Sequence, residues 1–227
     1  MRKKRVKYLG FAFFAVLATT NVKAQEFTVK ADIVSSYVWR GVQFSGVSVQ
    51  PTLQFSTGGF SIGSWGSAGM DGFLEMDLYA KYTFDFGLTL GLTDYYYPKK
   101  LTNESAIGHE YFDFSTATGS HGFEVNLNYT LDGLSIAANY MLNEAGGAAT
   151  KGGDKYFEFG YTFDKFSIFA GAGDGWHTPT GSFGLVNVGV SSSKEIKITD
   201  TFSVPVRVSA ILNPTSKQYF LVAVFTL

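Results

Sequence analysis

Apolar and polar residues alternate along most of the chain. Phe27, Val29, Ala31 and Ile33 interleave with Thr28, Lys30 and Asp32, and Leu74, Met76, Leu78 and Ala80 with Glu75, Asp77, Tyr79 and Lys81. The same pattern runs through Phe123 to Leu131, Phe157 to Phe163 and Tyr219 to Leu227. Period two is the mark of a strand with one apolar and one polar face. Several stretches hold it for about 9–11 residues, longer than the five or six of a globular strand and matched to a tilted membrane-crossing strand. No apolar run after the leader approaches the roughly 20 residues of a spanning helix.

The connections follow a rhythm of their own. Tight turns are expected at Gly58-Gly59, Asp85-Phe86-Gly87, Asp132-Gly133, Asp164-Lys165 and Asp200-Thr201, where Gly and Asp supply hairpin backbone angles. Looser connections fall between them, at 41–46, 68–72, 98–121, 143–154, 174–182 and 213–216. Strict exchange of short and long connections is what an outer-membrane barrel shows, with short periplasmic turns and longer external loops. The spacing predicts twelve strands, at 27–40, 47–57, 60–67, 73–84, 88–97, 122–131, 134–142, 155–163, 166–173, 183–198, 202–212 and 217–227. The fold class expected is therefore all-β, a closed antiparallel transmembrane β-barrel with both termini periplasmic. Two places strain the pattern: Asp94 falls on an apolar parity, and 191–195 interrupts the tenth strand, where the fifth turn could instead sit.

The start of the chain has a different character. Residues 1–7 are basic, 8–18 (YLGFAFFAVLA) are apolar, and a polar stretch ends Val22-Lys23-Ala24. This is a secretory signal with cleavage expected between Ala24 and Gln25, leaving a barrel domain over 25–227. Of the 18 Lys and Arg, six lie in this leader, so twelve basic residues remain against 19 acidic ones. An acidic mature chain argues against nucleic-acid binding. With 17% aromatic residues and no Cys, disorder, disulfide scaffolds and thiolate chemistry are excluded.

Aromatic residues cluster at both ends of the expected strands. Phe55, Phe60, Phe84, Phe86, Phe163, Phe166 and Phe202 lie by the tight turns, and Trp39, Trp65, Tyr95 to Tyr97, Tyr140 and Trp176 at the opposite ends. Two interfacial belts would have this distribution. A periplasmic β-sandwich would also alternate, but would carry more Lys and Glu on its outer face and no such belts.

The run 32–50 (DIVSSYVWRGVQFSGVSVQ), followed by Pro51-Thr52-Leu53, resembles the opening of the TorF-type porins, the conserved-hypothetical Gcw_chp group. Gly58-Gly59-Phe60, Trp65-Gly66-Ser67, Asp94 to Pro98, Glu124 and Asn213-Pro214 extend the resemblance over nearly all of the mature chain. It implies an outer-membrane β-barrel and brings no catalytic motif, so none is carried over.

Function in such a barrel belongs to the inward face. The polar parity carries Lys30, Asp32, Arg40, Glu75, Asp77, Lys81, Glu124, Glu158, Lys197 and Arg207. These groups either line a narrow pore for passive diffusion of small hydrophilic solutes or ions, or pair and plug the lumen. Twelve strands lie between eight, where side chains fill the interior, and sixteen, where a channel stands open. Arg40, Glu75, Asp77, Glu124 and Glu158 are expected in the external half, with Arg207 nearer the middle. With acidic external loops, that arrangement predicts a mouth that favours cations.

The other function classes are thinner. His109, His121 and His177 fall in expected external loops or at their edges, poor supports for a rim lipid hydrolase. No cofactor or metal is expected; Glu110 and Asp113 beside His109 make a poor metal set. The long loop at 98–121 offers a surface for an adhesive role. Expected partners are outer-membrane lipid and lipopolysaccharide, small solutes, and the barrel-assembly machinery, which would meet the C-terminal strand ending at Leu227.

Overall fold

The computed structural model describes residues 25–98 and 110–227. The expected signal sequence and its expected cleavage after Ala24, together with His109, lie outside those residues.

Twelve antiparallel strands close into a single barrel. They are β1 (Gln25–Val34), β2 (Ser48–Thr57), β3 (Phe60–Gly69), β4 (Leu74–Thr83), β5 (Leu88–Tyr96) and β6 (His121–Leu131), then β7 (Leu134–Met141), β8 (Lys155–Thr162), β9 (Ser167–Gly173), β10 (Gly184–Lys197), β11 (Ser203–Asn213) and β12 (Gln218–Thr226). Each pairs with its neighbours in sequence, and β1 pairs with β12. The closing seam is short, with Asp32↔Thr226, Ile33↔Phe225 and Val34↔Val224 in register. By contrast, β1 and β2 align over ten pairs, from Gln25↔Thr57 to Val34↔Ser48.

The tight turns form where Gly and Asp stand. Asp132 and Gly133 both take positive φ, 47° and 86°, the mirror-image turn that suits the twist of a two-residue hairpin. The fifth turn lies at 198–202, where Ile198 and Thr199 amides both bond to the Phe202 carbonyl. The 191–195 stretch runs through β10 without a break: Ser191 to Glu195 pair in register with Ser209 to Pro205.

The faces sort as the alternation requires. Phe27, Val29, Leu53 and Leu221 lie on the outer wall, exposed by 73, 78, 56 and 65%. Such a wall is unfavourable in water and favourable in hydrocarbon. Phe27 and Phe55, Tyr82 and Phe84, and Phe163 and Phe166 pair their rings near the short-turn end.

The structure corrects the expected reach of the first strand. β1 ends at Val34 rather than 40, and the segment after it turns inward. Residues Tyr37–Trp39 and Val42–Ser45 form a separate two-stranded hairpin in the long-loop end of the lumen. The expected outer aromatic belt is corrected with it. Trp65 and Tyr95 stand on inward positions, Trp39 belongs to the hairpin itself, and Tyr97 and Trp176 pack beside it. Tyr37 packs on Trp65 at 5.5 Å, Trp39 on Tyr95 at 5.5 Å, and Tyr97 on Trp176 at 6.0 Å. Tyr140 keeps an outward position, half exposed.

Asp94 is on the outer wall, as its parity requires, without a bulge in the β4–β5 register. Its carboxylate meets His121 Nδ1 at 2.9 Å, and the ring is stacked on Tyr96 and covered by Tyr111 and Phe114. A partner and an aromatic cover thus shield the charge.

The lumen and its candidate gate

On several strands inward residues grade from buried at the long-loop end to exposed at the short-turn end. Glu75 and Asp77 are buried, Tyr79 and Lys81 half-buried, and Thr83 exposed; Glu124, Asn126 and Asn128 repeat the sequence on β6. On β11, Asn213, Ile211 and Ser209 are buried while Arg207 is exposed. The lumen is therefore sealed at the long-loop end and open toward the short-turn end.

The seal is built from the hairpin tip. Arg40 and Gly41 form its two-residue turn, with φ of 50° and 78°. The left-handed region costs a residue with a Cβ roughly 1–2 kcal/mol, so Arg40 is held there by its surroundings. Its guanidinium makes a two-pronged pair with Glu124, Nη1 to Oε1 at 2.7 Å and Nη2 to Oε2 at 2.9 Å. It lies between the rings of Trp39 and Tyr156, 4.2 and 4.5 Å from their centres. Glu124 also accepts from the Tyr95 hydroxyl at 2.9 Å and from Asn126 Nδ2 at 2.6 Å.

Gly41 is pressed against the far wall. A Cβ there would fall 1.8 Å from the Val186 carbonyl oxygen, so only glycine fits. The Gly41 carbonyl accepts from Asn213 Nδ2 at 3.0 Å. The tip thus reaches from the β1–β2 side across the lumen to β6, β10 and β11.

The short helical turn Gly175–His177 completes the cover. Trp176 and His177 pack against Trp39 at 6.2 and 5.3 Å. His177 is buried, its Nδ1 without a hydrogen-bond partner. Burial, with Arg40 nearby, lowers its pKa to about 3, so the ring is neutral.

Below the seal lies a cavity of about 570 Å³. Lys30, Lys81, Gln54, Asn126, Asn128, Asn139 and Glu158 are among its lining groups. Glu158 accepts from the Tyr156 hydroxyl and, at 2.7 Å, from Asn187 Nδ2. Gly171 makes this possible, since a Cβ there would strike the Tyr156 hydroxyl.

The residues singled out from the sequence divide into three groups. Arg40, Glu124 and Glu158 join the network at the seal, but Arg40 comes from the hairpin and not from the wall. Glu75 and Asp77 face inward and are shut away from water beneath the hairpin, each with one oxygen lacking a partner. The expectation that they edge an open mouth is corrected: Tyr37 and Tyr97 close over Glu75. Lys30, Lys81 and Arg207 face the open part of the lumen. Lys30 and Asp32 are 3.6 Å apart, and Asp32 also accepts from Thr226 at 2.7 Å. Arg207 lies near the middle of β11, and Lys197, nearer the short turn, pairs with Asp200 at 2.6 Å.

Of the histidines, His121 and His177 fall among the described residues. His121 has both ring nitrogens engaged, Nδ1 by Asp94 and Nε2 by the Tyr111 carbonyl at 2.6 Å. Among the described residues no group of three or more His, Asp or Glu converges on a metal position.

Twelve antiparallel strands, an apolar outer wall and a polar lumen define a porin-like β-barrel. The chain belongs to the Gcw_chp family, described as bacterial protein of unknown function, whose profile matches residues 18–166. A solved structure of OccK8 (OprE) from Pseudomonas aeruginosa is similar over 88% of this chain, at 12% identity and a TM-score of 0.40. The chain spans 62% of that protein's length. No curated protein matches.

Proposed function

We propose that the protein is an outer-membrane channel for passive diffusion of small hydrophilic solutes, gated at its outer mouth by the inturned hairpin. The observation that carries this reading is the polar cavity, which ends against a hairpin whose tip is held by the Arg40–Glu124 pair and the Asn213 hydrogen bond. A barrel plugged for good has little need of a water-accessible chamber of this size behind its plug. The short turns and both termini lie on the periplasmic side, and the outer wall contacts lipid and lipopolysaccharide. The C-terminal strand β12 is the element presented to the barrel-assembly machinery. The resemblance to TorF-type porins supports the same reading.

A second reading has its own support. The aromatic packing of Tyr37, Phe44, Phe73 and Trp65 around the hairpin resembles a protein core, as a structural barrel with adhesive loops would have. Planar-bilayer recording separates the two. A gated channel shows rare or small openings in the unmodified protein and frequent openings after Glu124→Gln. A plugged barrel stays silent in both.

A further inference from the structure

The open part of the lumen has a charge character opposite to the acidic seal. Lys81 faces the cavity from β4, and no carboxylate among the described residues lies within salt-bridge distance of it; its ammonium stands 5.4 Å from the centre of the Tyr79 ring. Beside it the wall is hollowed. Lys81 is paired with Gly91, and Gly91 with Asn126, in one row across β4, β5 and β6. A Cβ at Gly91 would rest 3.5 Å from that of Lys81 and 3.6 Å from that of Asn126, ordinary contacts, so the strand itself does not demand glycine there. Its effect is a niche, flanked by Thr89 and Thr93 on the same strand.

The polar groups around this niche differ in their commitments. Asn126 is spent: its oxygen accepts from Thr93, and its Nδ2 donates to Glu124 and Asn139. Asn128, one inward step below, lines the cavity with its amide unengaged by any side chain among the described residues, and Thr89 shares its hydroxyl only with Thr83 at 2.9 Å. The acid in the cavity wall, Glu158, is two strands away from Asn128 through Ala137, and its Oε2 is held by Tyr156 and Asn187. Arg40 is answered by Glu124.

We infer that this niche is a binding subsite for a small organic anion, a carboxylate carrying neighbouring hydroxyls, with the carboxylate over Gly91 against Lys81 and the hydroxyls on Thr89 and Asn128. An ammonium and a carboxylate form a charge-assisted hydrogen bond, while amide and hydroxyl groups suit alcohols. The cavity volume falls in the ordinary range for small-molecule sites. The inference deepens the channel reading and rests on solute reaching the lumen, but not on conduction.

Equilibrium binding to the folded, purified barrel tests it, followed by calorimetry or by the fluorescence of Trp65, which lines the cavity. The probes are gluconate, glucose and inorganic phosphate at fixed ionic strength. Gluconate should bind about tenfold more tightly than glucose, the worth of one charge-assisted contact. Lys81→Met should remove that advantage and Lys81→Arg keep most of it. Gly91→Val, a residue suited to a strand, should fill the niche and weaken gluconate by a similar factor. Each variant should still migrate as a heat-modifiable barrel. Equal affinity for gluconate and glucose, or gluconate binding unchanged in both Lys81→Met and Gly91→Val, overturns the inference. Phosphate binding as tightly as gluconate overturns the role given to the hydroxyls. A silent barrel that binds gluconate sinks the channel reading alone, and a conducting barrel that ignores it sinks the subsite alone.

Discussion

Gly41→Ala adds one methyl group at the point where the hairpin tip meets the far wall. The new Cβ would lie 1.8 Å from the Val186 oxygen and 2.8 Å from its carbonyl carbon. Ordinary contact begins near 3.4 Å, so the tip must retreat by more than 1 Å, because the atom in its way is strand backbone. Retreat on that scale stretches the Asn213 bond to the Gly41 carbonyl, 3.0 Å in the seated state, beyond useful length. It also pulls Arg40 from its two-pronged seat on Glu124. The positive φ costs Ala about 1–2 kcal/mol, and the lost neutral hydrogen bond about 1 kcal/mol. Partial loss of a buried pair, about 3–5 kcal/mol when one partner is removed outright, comes on top. Even the first two together shift the closed–open balance by roughly a hundredfold. The barrel wall is untouched, so heat-modifiable migration should be normal. Single-channel recording should show openings at least tenfold more frequent than in the unmodified protein, and the fluorescence of Trp39 and Trp176 should move toward that of exposed indoles. Unmodified conductance and emission in the Gly41→Ala protein would show that the tip does not bear on Val186 as described.

Acidification should loosen the same seal. The neutral, buried His177 has its pKa lowered to about 3 by burial and Arg40, so protonation opposes closure at every pH below the free value near 6.5. The cost rises as pH falls from about 6.5 toward 3, reaching about 2 kcal/mol at pH 5. His177→Asn should flatten the pH profile of channel opening between 7 and 5; a profile unchanged by the substitution would remove His177 from the seal. Glu75→Gln relieves one of two adjacent buried carboxylates and should raise the unfolding temperature of the barrel, read by gel mobility on heating. A lower temperature would mean that the hydrogen bonds from Tyr37 and Tyr97 outweigh the cost of the buried charge, and would refute the reasoning. Deleting residues 223–227 removes every register pair between β1 and β12 and should abolish membrane insertion, checked by fractionation; a normal heat-modifiable barrel in the deletion would contradict this.

The wall was legible in the sequence because its cause is local. An outer face in hydrocarbon and an inner face toward polar groups force period two, and Gly and Asp mark the turns between. The hairpin was not, because Tyr37 and Trp39 keep the odd apolar parity of β1 and nothing in parity separates a strand in the wall from one in the lumen. A signal was nevertheless present: Trp-Arg-Gly-Val places Gly at the second position of a two-residue turn, where positive φ is required. Trp65 and Tyr95 could have been placed inward by counting from Ile62 and Leu92, which lie on the outer face; judging them by height alone put them in a belt. Tyr156, Asn187 and Asn213 join the seal through contacts far apart in sequence, and no local pattern announces them. Glu75 and Asp77 were given the correct face and the wrong surroundings, since what covers them arrives from another part of the chain.

The distance in sequence between the hairpin and its seats sets an order of events during assembly. Arg40 meets Glu124 84 positions later, and Gly41 meets Asn213 172 positions later. Contacts of such long range are slow to form, because the loops between them must first be closed. The tip cannot be seated until β6, β10 and β11 all stand in the wall. The barrel therefore passes through much of its construction with its interior unoccupied. A chain whose β11 failed to pair would lose a stave of its wall and a seat of its plug together, and would leak through both.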